Sequence, residues 1–218
     1  MITDCLSSDL DNCLLEHGFH RNAGSLEYAR TVTECLQRIV IVIDLKPSYE
    51  PRASAHLLPQ IVLVFPELNG RLLDMVDTMP SLKDVHSATF FQQIQNAAPR
   101  ENRQDGTRWF LFDDDHTCRC VRSMGEFMTK WTIPFLSEYT TVQSLIRGYE
   151  AGDERLPNDR RLSLLISAAY SLLNDPEGAV KVLDKVFGRP ALRRQYGRIF
   201  EYVNHQRESR DGKGAGNQ

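Results

Sequence analysis

A chain of 218 residues, 41% hydrophobic and 25% charged, is long enough for a substantial core and has the composition of an ordinary globular protein. A formal net charge of −3 argues against broad attraction to nucleic acid or to an anionic membrane. No apolar run approaches the width of a bilayer, the longest being Ile39 to Ile43.

The opening stretch MITDCLSSDLDNCLLEHG has no basic segment and mixes acids with its apolar residues, so no secretory signal is expected and the mature chain should start near Met1. Five cysteines (Cys5, Cys13, Cys35, Cys118, Cys120) are odd in number and lack framework spacing. They read as buried thiols in a reducing compartment, which makes the cytoplasm the expected location.

Thr3 to His17 places Leu6, Leu10, Cys13 and Leu14 on one helical face, capped by Thr3 or Asp4 and ended by Gly18. Phe19 should return the chain to the core. Leu26 and Tyr28 alternate with polar neighbours in a strand. The valine- and isoleucine-rich run Leu36 to Leu45 predicts a strand covered on both faces. Pro47 and Pro51 bracket a loop, and Gln60 to Phe65 forms a further strand. Pro66, Asn69 and Gly70 then break the chain before a short helical stripe at Leu72, Leu73 and Val76.

Val85 to Ala97 reads as a helix, Pro99 to Thr107 as a mobile surface loop, and Trp109 to Phe112 as a short strand. Cys118, Val121, Met124, Met128 and Trp131 fit one long helix with Asp113 to Asp115 at its positive end. The alternative is a hairpin strand at Thr117 to Val121, followed by a shorter helix opened by a Ser123/Glu126 capping box. Pro134 should end or kink this segment. Thr140 or Thr141 starts the next helix, carrying Val142, Leu145, Ile146 and Tyr149, and Glu150 to Asn158 has linker composition.

The clearest local pattern is ISAAYSLLNDPEGAVKVLDKVF, helical on both sides of Asn174-Asp175-Pro176. Asp175 is the expected N-cap, Pro176 the first helical residue and Gly188 the terminator. Tyr170 and Ala179 lie nine residues apart across this turn, which resembles the centre of a tetratricopeptide repeat. Ser167 and Val186 depart from that pattern, and a solenoid needs about three such units. The hairpin therefore reads as a packing device. A last helix runs from Pro190 through Leu192, Tyr196, Ile199 and Val203, and residues from Glu208 onward should be disordered.

A helix, three strands and then more helices predict an α+β fold: a mostly antiparallel sheet with helices on one face, followed by a C-terminal helical segment. The expected domains are 1–150, an α+β domain, and 151–207, a hairpin with a last helix packed on it. Residues 208–218 form the tail.

Candidate chemistry is sparse. Asp113-Asp114-Asp115-His116 with Cys118 and Cys120 is the one cluster of metal-capable groups, but adjacent aspartates do not converge on an ion and no second ligand group has zinc or calcium spacing. No metal and no cofactor is expected. Six histidines are scattered, without HExxH, GxSxG or a Walker loop. No catalytic residue is assigned, although partners can meet in space without being near in sequence. Phe187 to Arg207 holds five arginines against Glu201. Without interleaved aromatics this reads as a solvated helix, and no nucleic-acid or membrane partner is expected. Two acidic clusters border the helical segment: Asp113, Asp114 and Asp115, then Glu150, Asp153 and Glu154. They are the candidate partner-binding residues, because acidic surfaces steer basic partners.

One wider pattern completes the reading. A first helix ends in Gly18-Phe19 with Arg21 close by, and Tyr28 and Arg30 follow on a strand. Trp109 precedes Ile133-Pro134-Phe135-Leu136 by about a helix's length, with Val142 to Tyr149 beyond. From Thr3 to Tyr149 this resembles a bacterial family of uncharacterised α+β domains, members of which occur beside polymorphic or contact-dependent toxins as immunity proteins. The resemblance implies a non-enzymatic protein that occludes a cognate secreted toxin, with a basic nuclease as the guess for the target. It carries no functional residues over. The alternatives are an adaptor that binds a peptide or helix through its helical segment, and a hydrolase whose site assembles in space.

Overall fold

The computed structural model describes residues 10–76, 89–103 and 108–214. They divide into two compact units, one drawn from Met1–Leu63, Phe91–Thr140 and Glu154–Leu156, the other from Val64–Phe90, Thr141–Asp153 and Pro157–Gln218.

The first unit is built on an antiparallel sheet of six strands, and the fold is α+β. The strands are β1 (His20–Arg21), β2 (Glu27–Val32), β3 (Cys35–Leu45), β4 (Ala55–Val64), β5 (Phe90–Gln93) and β6 (Trp109–Leu111), in the order β1-β2-β3-β4-β5, with β6 also on β4. Helix α1, described over residues 10–15, ends as expected at Gly18 with φ 77°, and Phe19 is buried. The earlier part of that predicted helix lies outside the described residues. Period-two alternation gives the sheet two unlike faces. Tyr28 and Arg30 on β2 stand opposite Ile39 and Gln37 on β3, and Ala55 and Leu57 on β4 stand opposite Leu111 and Trp109 on β6. Tyr28, Ile39, Ala55, Leu57, Leu111 and Trp109 are all buried, each large one worth about 1.5–3 kcal/mol of transfer free energy.

The opposite face is left open, which corrects the expectation that β3 is covered on both sides. Its residues alternate between buried and half-exposed, and Val42 is 41% exposed. The run is rich in valine and isoleucine because one face is core and the other, with Arg38, Val40 and Val42, is an apolar–charged mixture. β4 is longer than its predicted core because Pro59 is tolerated inside it. β6 pairs with β4 only across Ala55 to Leu57, so Pro59 lies past the end of that ladder.

Helix α3 (Asp114–Phe127) is the long helix preferred from sequence. Asp113 is its N-cap, accepting from the His116 amide at 2.7 Å. It passes through one π-helical turn, Met128–Thr132, into α4 (Ile133–Glu138), where Pro134 sits in the first turn. Proline lacks the amide that a continuous helix needs, and the ladder is re-phased just before it. The sheet holds the far end of α4. Gln37 is fully buried, and its Nε2 donates to the carbonyls of Leu136 (2.6 Å) and Tyr139 (3.2 Å), which α4 itself cannot satisfy. Gln37 Oε1 accepts from Arg30 Nε at 2.8 Å. Arg30 also donates to the His17 carbonyl and stacks over Phe19.

Two other expectations fail here. The predicted helix over Val85 to Ala97 lies partly outside the described residues, and the rest is strand β5 followed by a 3-10 turn, Ile94–Ala97. Phe90 and Gln92 are buried while Phe91 and Gln93 are exposed, a strand alternation too short to show as periodicity. The described part of the supposed mobile loop is tied down: Arg103 donates to the carbonyls of Ala98, Asn96 and Glu154, while residues 104–107 lie outside the described set.

The second unit is helical. It comprises α2 (Pro66–Val76), α5 (Val142–Ala151), α6 (Arg160–Leu172), α7 (Pro176–Phe187), α8 (Pro190–Gln195) and α9 (Gly197–Gly214). Thus α2 and α5, grouped by sequence with the sheet, pack against the C-terminal helices. Asn69 and Gly70 lie inside α2 instead of breaking the chain before it, because Pro66 already starts the helix and the Asn69 side chain accepts from Thr89 Oγ1. Thr141 opens α5 with a capping box to Ser144, and Gly152 (φ 68°) closes it. The α6–α7 hairpin has Asp175 as N-cap and Pro176 in the first turn, as expected. A Cβ on Gly178 would lie 2.5 Å from a Tyr170 ring carbon, and Ser167 Oγ donates to the Ala179 carbonyl, so small residues set the close approach. Gly188 ends α7 in a right-handed conformation (φ −66°). The single last helix is two, split at Tyr196, whose ring packs on Phe187. The backbone stays helical to Gly214 where disorder was expected from Glu208. No helix among the described residues is long and apolar enough to cross a membrane.

Candidate functional site

The open sheet face carries a run of rings. Continuing the strand alternation, His56 on β4 stands opposite Phe110 on β6, both on the face opposite to that of the buried Leu57 and Trp109. The His56 and Phe110 rings stack at 4.2 Å, Tyr49 meets both edgewise (5.8 and 6.1 Å), Phe112 follows Phe110 at 6.3 Å, and His116 follows Phe112 at 5.1 Å. Tyr49 is 59% and Phe112 39% exposed, and Val42 lies on the same face. The ladder runs from the β3–β4 loop to the first turn of α3, where Asp113 and Asp115 stand exposed. Aromatic rims of this kind bury area at low entropic cost and attract cations through their π faces.

A hydrogen-bonded chain pins the loop to this face. Tyr49 Oη lies 2.8 Å from Asp44 Oδ2 and 2.8 Å from His56 Nδ1. The phenol has one hydrogen and the carboxylate only accepts, so the hydroxyl donates to Asp44 and His56 supplies Nδ1–H to the hydroxyl. The Tyr49 pKa is raised, first by its bond to Asp44, then by burial and the nearby charge. That direction is the opposite of an activated nucleophile. The His56 pKa is lowered, mainly by burial, with Asp44 opposing and Arg108 reinforcing.

The acidic residues singled out from sequence are divided. Asp113 caps α3, Asp114 is the first residue of that helix, and Asp113 and Asp115 stand exposed at the ladder's end. Glu154, also in the first unit, accepts from the Arg100 amide at 2.8 Å and pairs with the Arg100 guanidinium, so it serves the 3-10 turn Arg100–Asn102. Glu150 belongs to the second unit and accepts from the Tyr170 hydroxyl, and Asp153 lies just past Gly152 in that unit. Tyr170's pKa is raised by burial first and by Glu150 second. Among the described residues no group of three histidine, cysteine or acidic side chains is placed to hold a metal ion.

An open cavity of about 570 Å³ lies beside α1 and α3, lined by Cys13, Arg122, Gly125, Glu126, Thr129 and Lys130 among others. Cys13 Sγ sits 3.2 Å from Thr129 Oγ1 and 3.9 Å from the Gly125 carbonyl, local polar contacts between α1 and the end of α3.

Sequence reasoning missed Tyr49, His56, Phe110 and Phe112. The signal present was modest: Phe110 and Phe112 share strand parity, and their face is set by the burial of Trp109 and Leu111. No family model, no curated protein and no solved structure matches the chain.

Proposed function

We propose that this protein acts by binding another protein through the open face of its sheet, covering a basic surface of that partner. The observation that supports the reading is the ring ladder from Tyr49 to His116, exposed at Tyr49 and Phe112 and ending at Asp113 and Asp115. Exposed aromatics supply contact energy at a patch's centre, and carboxylates at its edge supply on-rate and orientation. The Asp44–Tyr49–His56 chain holds one of those rings in place before a partner arrives, which lowers the ordering cost of association.

The resemblance of Thr3 to Tyr149 to domains found beside toxins narrows the proposed partner to a cognate secreted toxin, neutralised by occlusion, with a basic nuclease fitting the acidic edge. Catalysis by this chain has no part in the proposal. The test is co-expression with the product of the adjacent reading frame, scored by cell survival. The wild-type chain should rescue growth and Phe112→Ser with Tyr49→Ser should lose rescue while staying folded. Asp115→Lys is the charge test of choice, because it leaves the Asp113 cap intact; it should slow association and lessen its salt dependence. Equal rescue by the ladder double variant would remove this face from the account.

A further inference from the structure

We propose that His56 makes partner binding on this face pH-dependent, its protonation placing a positive charge in the middle of the ring ladder and weakening the hold on a basic partner. The inference rests on the proposed use of this face for a basic partner and adds its regulation. His56 is 8% exposed, stacks on Phe110 at 4.2 Å and gives Nδ1–H to Tyr49. The charge would therefore arise on Nε2, next to the rings that the partner's cations meet. The groups facing His56 come from three elements. Asp44 on β3 attracts the imidazolium through the Tyr49 hydroxyl, Arg108 ahead of β6 repels it, and Tyr49 is the neutral link. In the loop itself Glu50 and Arg52 pair with each other at 3.0 Å and so largely cancel.

Neutral His56 leaves the Asp44 charge on the face without an imidazolium beside it. Protonated His56 offsets that charge and presents its own to the incoming cation. Histidine is the side chain whose ordinary titration lies where such a change is physiological. Burial favours the neutral ring and places the step below the ordinary value of 6.5. One like charge at side-chain separation, screened by solvent and salt, should weaken affinity about threefold to tenfold.

The test uses the full chain and an oligo-arginine peptide as the probe, with affinity measured by calorimetry at about pH 7.5 and about pH 5. The wild type should bind at the higher pH and weaken by that factor at the lower. His56→Asn, which keeps a donor toward Tyr49 but does not titrate in this range, should show a much smaller change. Equal affinity of the wild type at both pH values overturns the inference, as does an equal loss in His56→Asn. Absence of peptide binding at the higher pH instead overturns the reading of the face itself. NMR titration of the wild-type imidazoles gives an independent check should His56→Asn fail to fold. The His56 midpoint must coincide with the midpoint of the affinity change, and a mismatch overturns the inference.

Discussion

Replacing Gln37 by leucine tests the packing of the first unit at its most committed point. Leucine nearly matches the volume of glutamine, so the change removes hydrogen bonds with little change in shape. The bond from Arg30 Nε is charge-assisted and worth about 1.5–3 kcal/mol, and the two bonds to the Leu136 and Tyr139 carbonyls are worth roughly 1 kcal/mol each. Added apolar burial returns about 1–2 kcal/mol at this fully buried position. The expected net loss is about 1.5–4 kcal/mol, which for a chain of this length lowers the melting temperature by roughly 3–16 °C. Chemical denaturation followed by tryptophan fluorescence reads it, since Trp109 and Trp131 both lie in the first unit. Arg30→Met combined with Gln37→Leu should destabilise by less than the sum of the single changes, because no Nε–H is left facing leucine without its acceptor. A Gln37→Leu loss below about 0.5 kcal/mol would refute the argument that these bonds hold α4 to the sheet.

Three further outcomes are expected. Gly178→Val forces a side chain into the space of the Tyr170 ring and should cost about 1–3 kcal/mol in the helical unit; unchanged urea stability would mean that the hairpin has slack. Burial pushes the Cys120 thiol up to about 12, so at pH near 8 only about one molecule in ten thousand carries the thiolate there. Native alkylation read by mass spectrometry should therefore label the half-buried Cys13 well before Cys120, and equal rates would contradict that burial. Tyr28 titrates above its ordinary 10.0, chiefly because it is buried and then because of its bond to Asp11. A raised folded value gives stability that is present below pH 10 and lost as the pH rises through the folded value. Tyr28→Phe should make stability less sensitive to pH above 10, and an unchanged alkaline profile would assign that loss to other groups.

What could be read from the chain followed the reach of each signal. The α6–α7 hairpin was legible because Asp175, Pro176 and the apolar spacing are local, and so were Gly18 and the acidic start of α3, though not which of its aspartates is the cap. The strand β5 was not, since four residues around Phe90 give no usable period and their burial is decided by the sheet. Asn69 and Gly70 looked like breakers but are carried inside α2 by packing and by the Thr89 bond. The candidate site was legible only at its edge, in Asp113 to Asp115. Its rings come from the β3–β4 loop, strands β4 and β6, Phe112 just past β6 and His116 on α3, and only the register between two strands about fifty residues apart brings His56 to Phe110.

Hydrogen exchange on the full chain, alone and with the product of the adjacent reading frame, tests the central claim most directly. Binding through the open face predicts slowed exchange in the loop after β3 and in residues 108–117, with the hairpin of the second unit unchanged. A complex that protects the α6–α7 hairpin and leaves the Tyr49–Phe112 surface exchanging freely, or no complex at all, would contradict it.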